Sequence, residues 1–171
     1  SLTPNKGHRV LLDSFAALLE DHPNATLLVV GEGPLRQELE DRARQLMINR
    51  KIVFAGLQTD ISDLLRISDV GLLPSQSREG LGMALIEAMA AGLPILATDL
   101  PAHRDLLADG RTGCLVRTRD ELVQMLDFLD DPQENLRIGK AAQSWVRETI
   151  GTWDGCAERF VVAYKDLLER A

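Results

Sequence analysis

Glu79 and Glu87 stand eight positions apart, with Gly80 and Gly82 directly after the first. Such a pattern can bind an anion on backbone amides while two carboxylates accept hydrogen bonds from neighbouring hydroxyls. Two glycines let a main chain approach a ligand closely. The first-turn N–H groups of a following helix are unpaired and carry the positive end of the helix dipole, which favours phosphate. Carboxylates repel phosphate, so their partners would lie on either side of it. Ribose hydroxyls, two phosphates and sugar hydroxyls, the layout of a nucleoside diphosphate sugar, would satisfy all of these groups. The spacing alone also allows a plainer reading, with Glu87 a helix-surface charge and Glu79 an acid favoured by the dipole.

Positioning such a loop requires a strand before it and a helix after it. Val70-Gly71-Leu72-Leu73, stopped by Pro74, reads as a short buried strand. Met83 to Ala91 is rich in helix formers and is followed by Gly92 and Pro94, a helix stop. Ile95-Leu96-Ala97 reads as the next strand, completing a βαβ unit. The rest of the chain alternates in the same way. Helices are predicted at His8–Glu20, with Val10, Leu11, Phe15, Leu18 and Leu19 on its apolar side, and at about 35–47, Ile61–Ile67 and Ala102–Ala108. Strands are predicted at Thr26–Val30, from Lys51 to Gly56 and at Cys114–Val116, and a helical tail at about 119–171 breaks near Asp131-Pro132 and Gly151. Short apolar strands alternating with helices predict an α/β fold, a Rossmann-like doubly wound parallel sheet flanked by helices, which binds ligands at the carboxyl ends of its strands.

Composition narrows the partners. A chain of 171 residues, 45% hydrophobic, reads as one domain, and a formal charge of −7 argues against nucleic acid. Cys114 and Cys156 fit free thiols in a reducing cytoplasm. No stretch reads as a secretory signal or a membrane span, and the expected location is cytoplasmic. His8, His22 and His103 lack metal-ligand spacing and read as surface or capping residues. Gly31-Glu32-Gly33 is an incomplete dinucleotide fingerprint, because Arg36 occupies the third glycine's place. Neither a Walker loop nor a G-x-S-x-G elbow is present.

The run from Ser75 to Pro94 resembles the E-x7-E signature of retaining glycosyltransferases of the GT-B fold, family-4 type. The similarity extends to Lys6-Gly7, Val30-Gly31-Glu32-Gly33-Pro34, Phe54-Ala55-Gly56, Ser68-Asp69-Val70 and Asp109-Gly110-Arg111-Thr112-Gly113, all in the right order. Leu81 replaces the commonest phenylalanine of the motif. The resemblance implies the C-terminal, donor-binding half of a two-domain enzyme. It implies that Glu87 holds the ribose diol, that Glu79 lies near the donor sugar, and that Gly80, Leu81, Gly82 and Met83 cradle phosphate and sugar. Lys6 would neutralise the diphosphate leaving group without a metal or other cofactor. Gln58 and Thr59 would border the base, and Gly33 with Pro34 another wall of the cleft.

Two departures carry expectations of their own. The family usually places an arginine upstream of the lysine, where this chain has Ser1-Leu2-Thr3-Pro4-Asn5. The family's first strand of this domain lies before the position of Ser1. In a 3-2-1-4-5-6 strand order that strand is central, so without it the sheet is expected to divide into two half-sheets with facing unpaired edges. The implied function is transfer of a sugar from a nucleoside diphosphate sugar to a glycan or glycolipid acceptor. The expected partners are the donor and an N-terminal acceptor domain, with peripheral membrane association through that domain, and this chain alone is expected to be inactive. A sugar-nucleotide epimerase of GT-B fold and a non-catalytic nucleotide-binding module are the alternatives.

Overall fold

A computed structural model describes residues 1–77, 80 and 82–169. Helices α1 (His8–Asp21), α2 (Arg36–Gln45), α3 (Ser62–Arg66), α4 (Met83–Ala90), α5 (Pro101–Arg104), α6 (Arg119–Leu129), α7 (Pro132–Trp145) and α8 (Trp153–Glu169) alternate, up to α6, with strands β1 (Leu27–Val30), β2 (Ile52–Gly56), β3 (Gly71–Leu73), β4 (Ile95–Thr98) and β5 (Cys114–Val116). Two short 3-10 turns, Pro4–Lys6 and Asn49–Lys51, and a π turn, Val146–Ile150, complete the order.

Every strand pair is parallel, and the strands form two sheets, β1-β2 and β3-β4-β5. This is the expected division. Ala25, ahead of β1, and Val70, ahead of β3, line a common cavity of about 470 Å³ together with Leu18 of α1. The outer turns of the chain hold the two sheets together. Leu2, fully buried, donates its N–H to Glu32 O beyond β1, and Asn5 O accepts from Gln76 N beyond β3.

Burial on both faces explains why the central strand lacks a polar alternation. In β4, Ile95 and Ala97 join the core under α4 and α7, while Leu96 joins the core under α1, α2 and α6. Helix α7 is set tightly against the end of α4: a Cβ on Gly139 would lie 2.1 Å from Gly92 O.

Three expectations need correction. Val10 is 48% exposed, and Leu12 and Ser14 are buried on α1 instead. Ser14 tolerates burial because its hydroxyl donates to Val10 O at 3.0 Å. The helix expected to run to Ala108 ends at Arg104, where the chain turns to place Leu107 in the core. His103 is no surface residue; it is fully buried, with Nδ1 2.6 Å from the Thr98 carbonyl. Among the described residues no helix is long and apolar enough to cross a membrane.

Candidate functional site

Helix α4 begins at Gly82, whose φ of 67° and ψ of 48° lie in the left-handed region where a side chain would be strained. Among the described residues no side chain caps this end, and first-turn amides of a helix suit an anionic ligand. Gly80 is exposed, and a Cβ there would meet nothing within 4 Å, so the backbone borders open space. Met83, 56% exposed, and Glu87 are one helical repeat apart on the solvent face of α4, while Leu85, Ile86, Ala88 and Met89 are buried on the other. Glu79 and Leu81, the remaining members of the expected cradle, lie outside the described residues.

The second helix start is that of α1. Gly7, with φ 71°, packs so closely on the loop after β3 that a Cβ would lie 1.7 Å from Pro74 O. Only glycine permits this approach, and it sets Lys6, half-buried, beside the segment that leads to Gly80 and Gly82. Gln76, which the sequence did not single out, lies across Gly7, with its Cγ 3.4 Å from the place of that Cβ. His8 follows, with Nδ1 buried and, among the described residues, without a partner. Burial pushes its imidazole pKa below 6.5, and the positive charge of Lys6 pushes it further.

The other expected residues collect at the same carboxyl edge. Gly33 sits against the amino-terminal segment, where a Cβ would lie 2.5 Å from Leu2 O. Gly31 N donates to Gly56 O, joining the loops beyond β1 and β2. Gln58 and Thr59 are exposed past β2, and the Gln58 amide donates to Ala55 O at 2.7 Å. Lys6, Gly33, Gln58, Thr59, Gly80, Gly82, Met83 and Glu87 thus all lie at or beyond strand ends of one polarity or at the helix starts facing them. Glu87 is deepest along its helix. Among the described residues no group of three or more His, Cys, Asp or Glu is placed to hold a metal ion.

Doubly wound parallel α/β domains take their ligands at the carboxyl edge of the sheet, and helix starts such as these two suit an anion there. The family model of the group 1 glycosyl transferases matches residues 1–145, and the chain belongs to that family. It is 32% identical over 165 residues to the phosphatidyl-myo-inositol mannosyltransferase of Mycolicibacterium smegmatis, covering 95% of this chain and 42% of that protein. Anabaena HepE, crystallised in complex with UDP, superposes with a TM-score of 0.82 at 25% identity, over 94% of this chain and 46% of that one. The C-terminal domain of a group 1 glycosyl transferase (LpcC) from Francisella tularensis superposes at 0.78 and 25% identity, over 87% and 82%. The fold is that of GT-B glycosyltransferases, and the chain spans less than half the length of the mannosyltransferase and of HepE.

Proposed function

We propose that this chain is the donor half of a retaining glycosyltransferase that moves a sugar from a nucleoside diphosphate sugar to a glycan or glycolipid acceptor. The observation that carries the reading is the pairing of two helix starts, α1 behind Lys6-Gly7 and α4 behind Gly82, on one loop. Departure of a nucleoside diphosphate builds negative charge on the β-phosphate. A cation and oriented amides already in place stabilise that charge without reorganising as it forms. Glu87, on the open face of α4, accepts from the ribose diol, and Glu79 positions the sugar. Neither is assigned as a nucleophile or a base. Closure of an acceptor domain over this edge would exclude water and strengthen each of these interactions. A cytoplasmic location, at the membrane face when the acceptor is a lipid, belongs to the same reading. The HepE complex with UDP supports the donor class.

Lys6 provides the test. Lys6→Gln is expected to weaken binding of a nucleoside diphosphate more than binding of the bare nucleoside, measured by titration calorimetry on both variants. Equal losses for the two ligands, or no nucleotide binding by the parent chain at millimolar concentration, would refute the reading.

A further inference from the structure

Asp99 follows β4 directly, and its side chain is only 7% exposed. Both of its carboxylate oxygens are taken by arginine. Arg104 Nε, at the end of α5, lies 2.5 Å from Oδ1, and Arg117 Nε, just beyond β5, lies 2.7 Å from Oδ2. Neutralising one carboxylate needs one guanidinium, yet two are brought to it from separate connections. Each is held through Nε, the inner corner of the fork, and both side chains are more than half exposed. A guanidinium carries five N–H donors, so the terminal amino groups of each remain for another acceptor. Glu121 Oε2 lies 3.9 Å from Arg117 Nη1, beyond hydrogen-bond reach, and it already accepts from Arg117 N at 2.7 Å.

The surroundings suit a ligand. Arg117, but neither Asp99 nor Arg104, lines a cavity of about 300 Å³ together with Thr98, Thr118, Gln76 and the exposed Arg119. Its remaining wall is largely apolar, from β3, β4, β5 and α1. An apolar hollow with a few convergent polar groups is the usual form of a small-molecule site. It lies at the carboxyl edge of the three-stranded sheet, where such folds take their ligands.

We propose that Arg104 and Arg117, aligned by Asp99, form a second anion site that takes a phosphate monoester group, separate from the diphosphate site at Lys6 and Gly82. Planar guanidinium forks match the oxygens of a phosphate in pairs. Asp99 is a positioning residue: it fixes two flexible side chains before the ligand arrives. Free phosphate and a phosphate carried by a polyol or sugar share this chemistry.

The test is a titration of the intact chain with inorganic phosphate and with glycerol 1-phosphate, at constant ionic strength, with and without saturating UDP. Binding is expected in both conditions, and Arg104→Gln and Arg117→Gln should each weaken it at least tenfold. Asp99→Asn adds net positive charge, so a diffuse electrostatic patch would bind more tightly after the change; the aligned site should bind more weakly. Tighter binding in Asp99→Asn, competition by UDP, indifference to Arg104→Gln, or no binding of either probe would overturn the proposal. Preference for glycerol 1-phosphate would identify an esterified phosphate as the ligand, and preference for inorganic phosphate would identify the free ion. Arg104 is exposed at the end of α5, so its variant remains folded for the comparison, checked by thermal melting. Failure of UDP to bind counts against the donor reading alone, since the phosphate titration without UDP still judges this site.

Discussion

Glu87 is exposed on α4 with Met83 one repeat before it, so its carboxylate can reach a ligand seated on the first turn. Glu87→Ala is expected to weaken nucleoside diphosphate binding by about 1.5–3 kcal/mol, the range for a hydrogen bond to a charged group. A 2′,3′-dideoxy analogue should lose much less, and calorimetry with both ligands decides the diol role. His22 supplies a pH-dependent contact of a different kind. Its Nε2 lies 2.6 Å from Asp127 Oδ1, tying the end of α1 to α6, and this hydrogen bond is the main reason its pKa rises above 6.5; the nearby Asp130 and Asp21 charges add to it. A raised folded-state pKa means the contribution is complete below pH 6.5 and fades as pH climbs through the folded value. The stability gap between parent and His22→Gln, from urea midpoints, should therefore be larger at about pH 6 than at about pH 9. The opposite effect of His8, whose pKa is lowered, is common to both variants and cancels. A gap of the same size at both pH values would remove the charge from the explanation.

Helix α2 ends in a way that costs stability. Met47 has a φ of 59°, the one positive value among the described non-glycine residues, and its side chain is 87% exposed. Its N–H and that of Ile48 close the helix by bonding to Arg44 O and Ala43 O. Glycine is the common residue at such a left-handed cap, because a Cβ there crowds the following carbonyl. Met47→Gly is expected to stabilise the chain by about 1 kcal/mol, because no packing is lost. A lowered melting temperature would mean that Met47 makes a contact worth more than the strain it relieves. Helix α8 differs from the others in leaving Phe160, Val161, Val162, Tyr164 and Leu168 more than half exposed.

The two sheets make one body through helices and a single amino-terminal stitch. One core joins Leu2, α1, α2, β1 and β2 to Leu96, Cys114 and Val116 of the three-stranded sheet. In the proposed reading, diphosphate recognition draws on groups at this carboxyl edge, whereas transfer also needs an oriented acceptor. Orientation of two reactants can supply ~7–11 kcal/mol, so this chain by itself is expected to bind nucleoside diphosphate and to transfer no sugar at a useful rate. A folded, monomeric sample that transferred sugar at an ordinary enzyme rate would contradict this.

Order, type and approximate ends of the strands and longer helices were legible because apolar periodicity and Gly-Pro punctuation act locally. The two helix starts were legible for the same reason: Gly82 stands directly before Met83 at one, and Lys6-Gly7 directly before His8 at the other. Contacts between distant segments leave no such trace. Gln76 reaches Gly7 only because Pro74 O sits where a Cβ would be, and the burial of His103 depends on one bond to Thr98 O. Asp99, Arg104 and Arg117 follow no helical or strand period; two sheet connections and a turn bring them together. The side chains' chemistry was written in the chain, and their meeting was decided by tertiary packing, because a buried carboxylate or imidazole takes whatever partner the fold brings within hydrogen-bond distance.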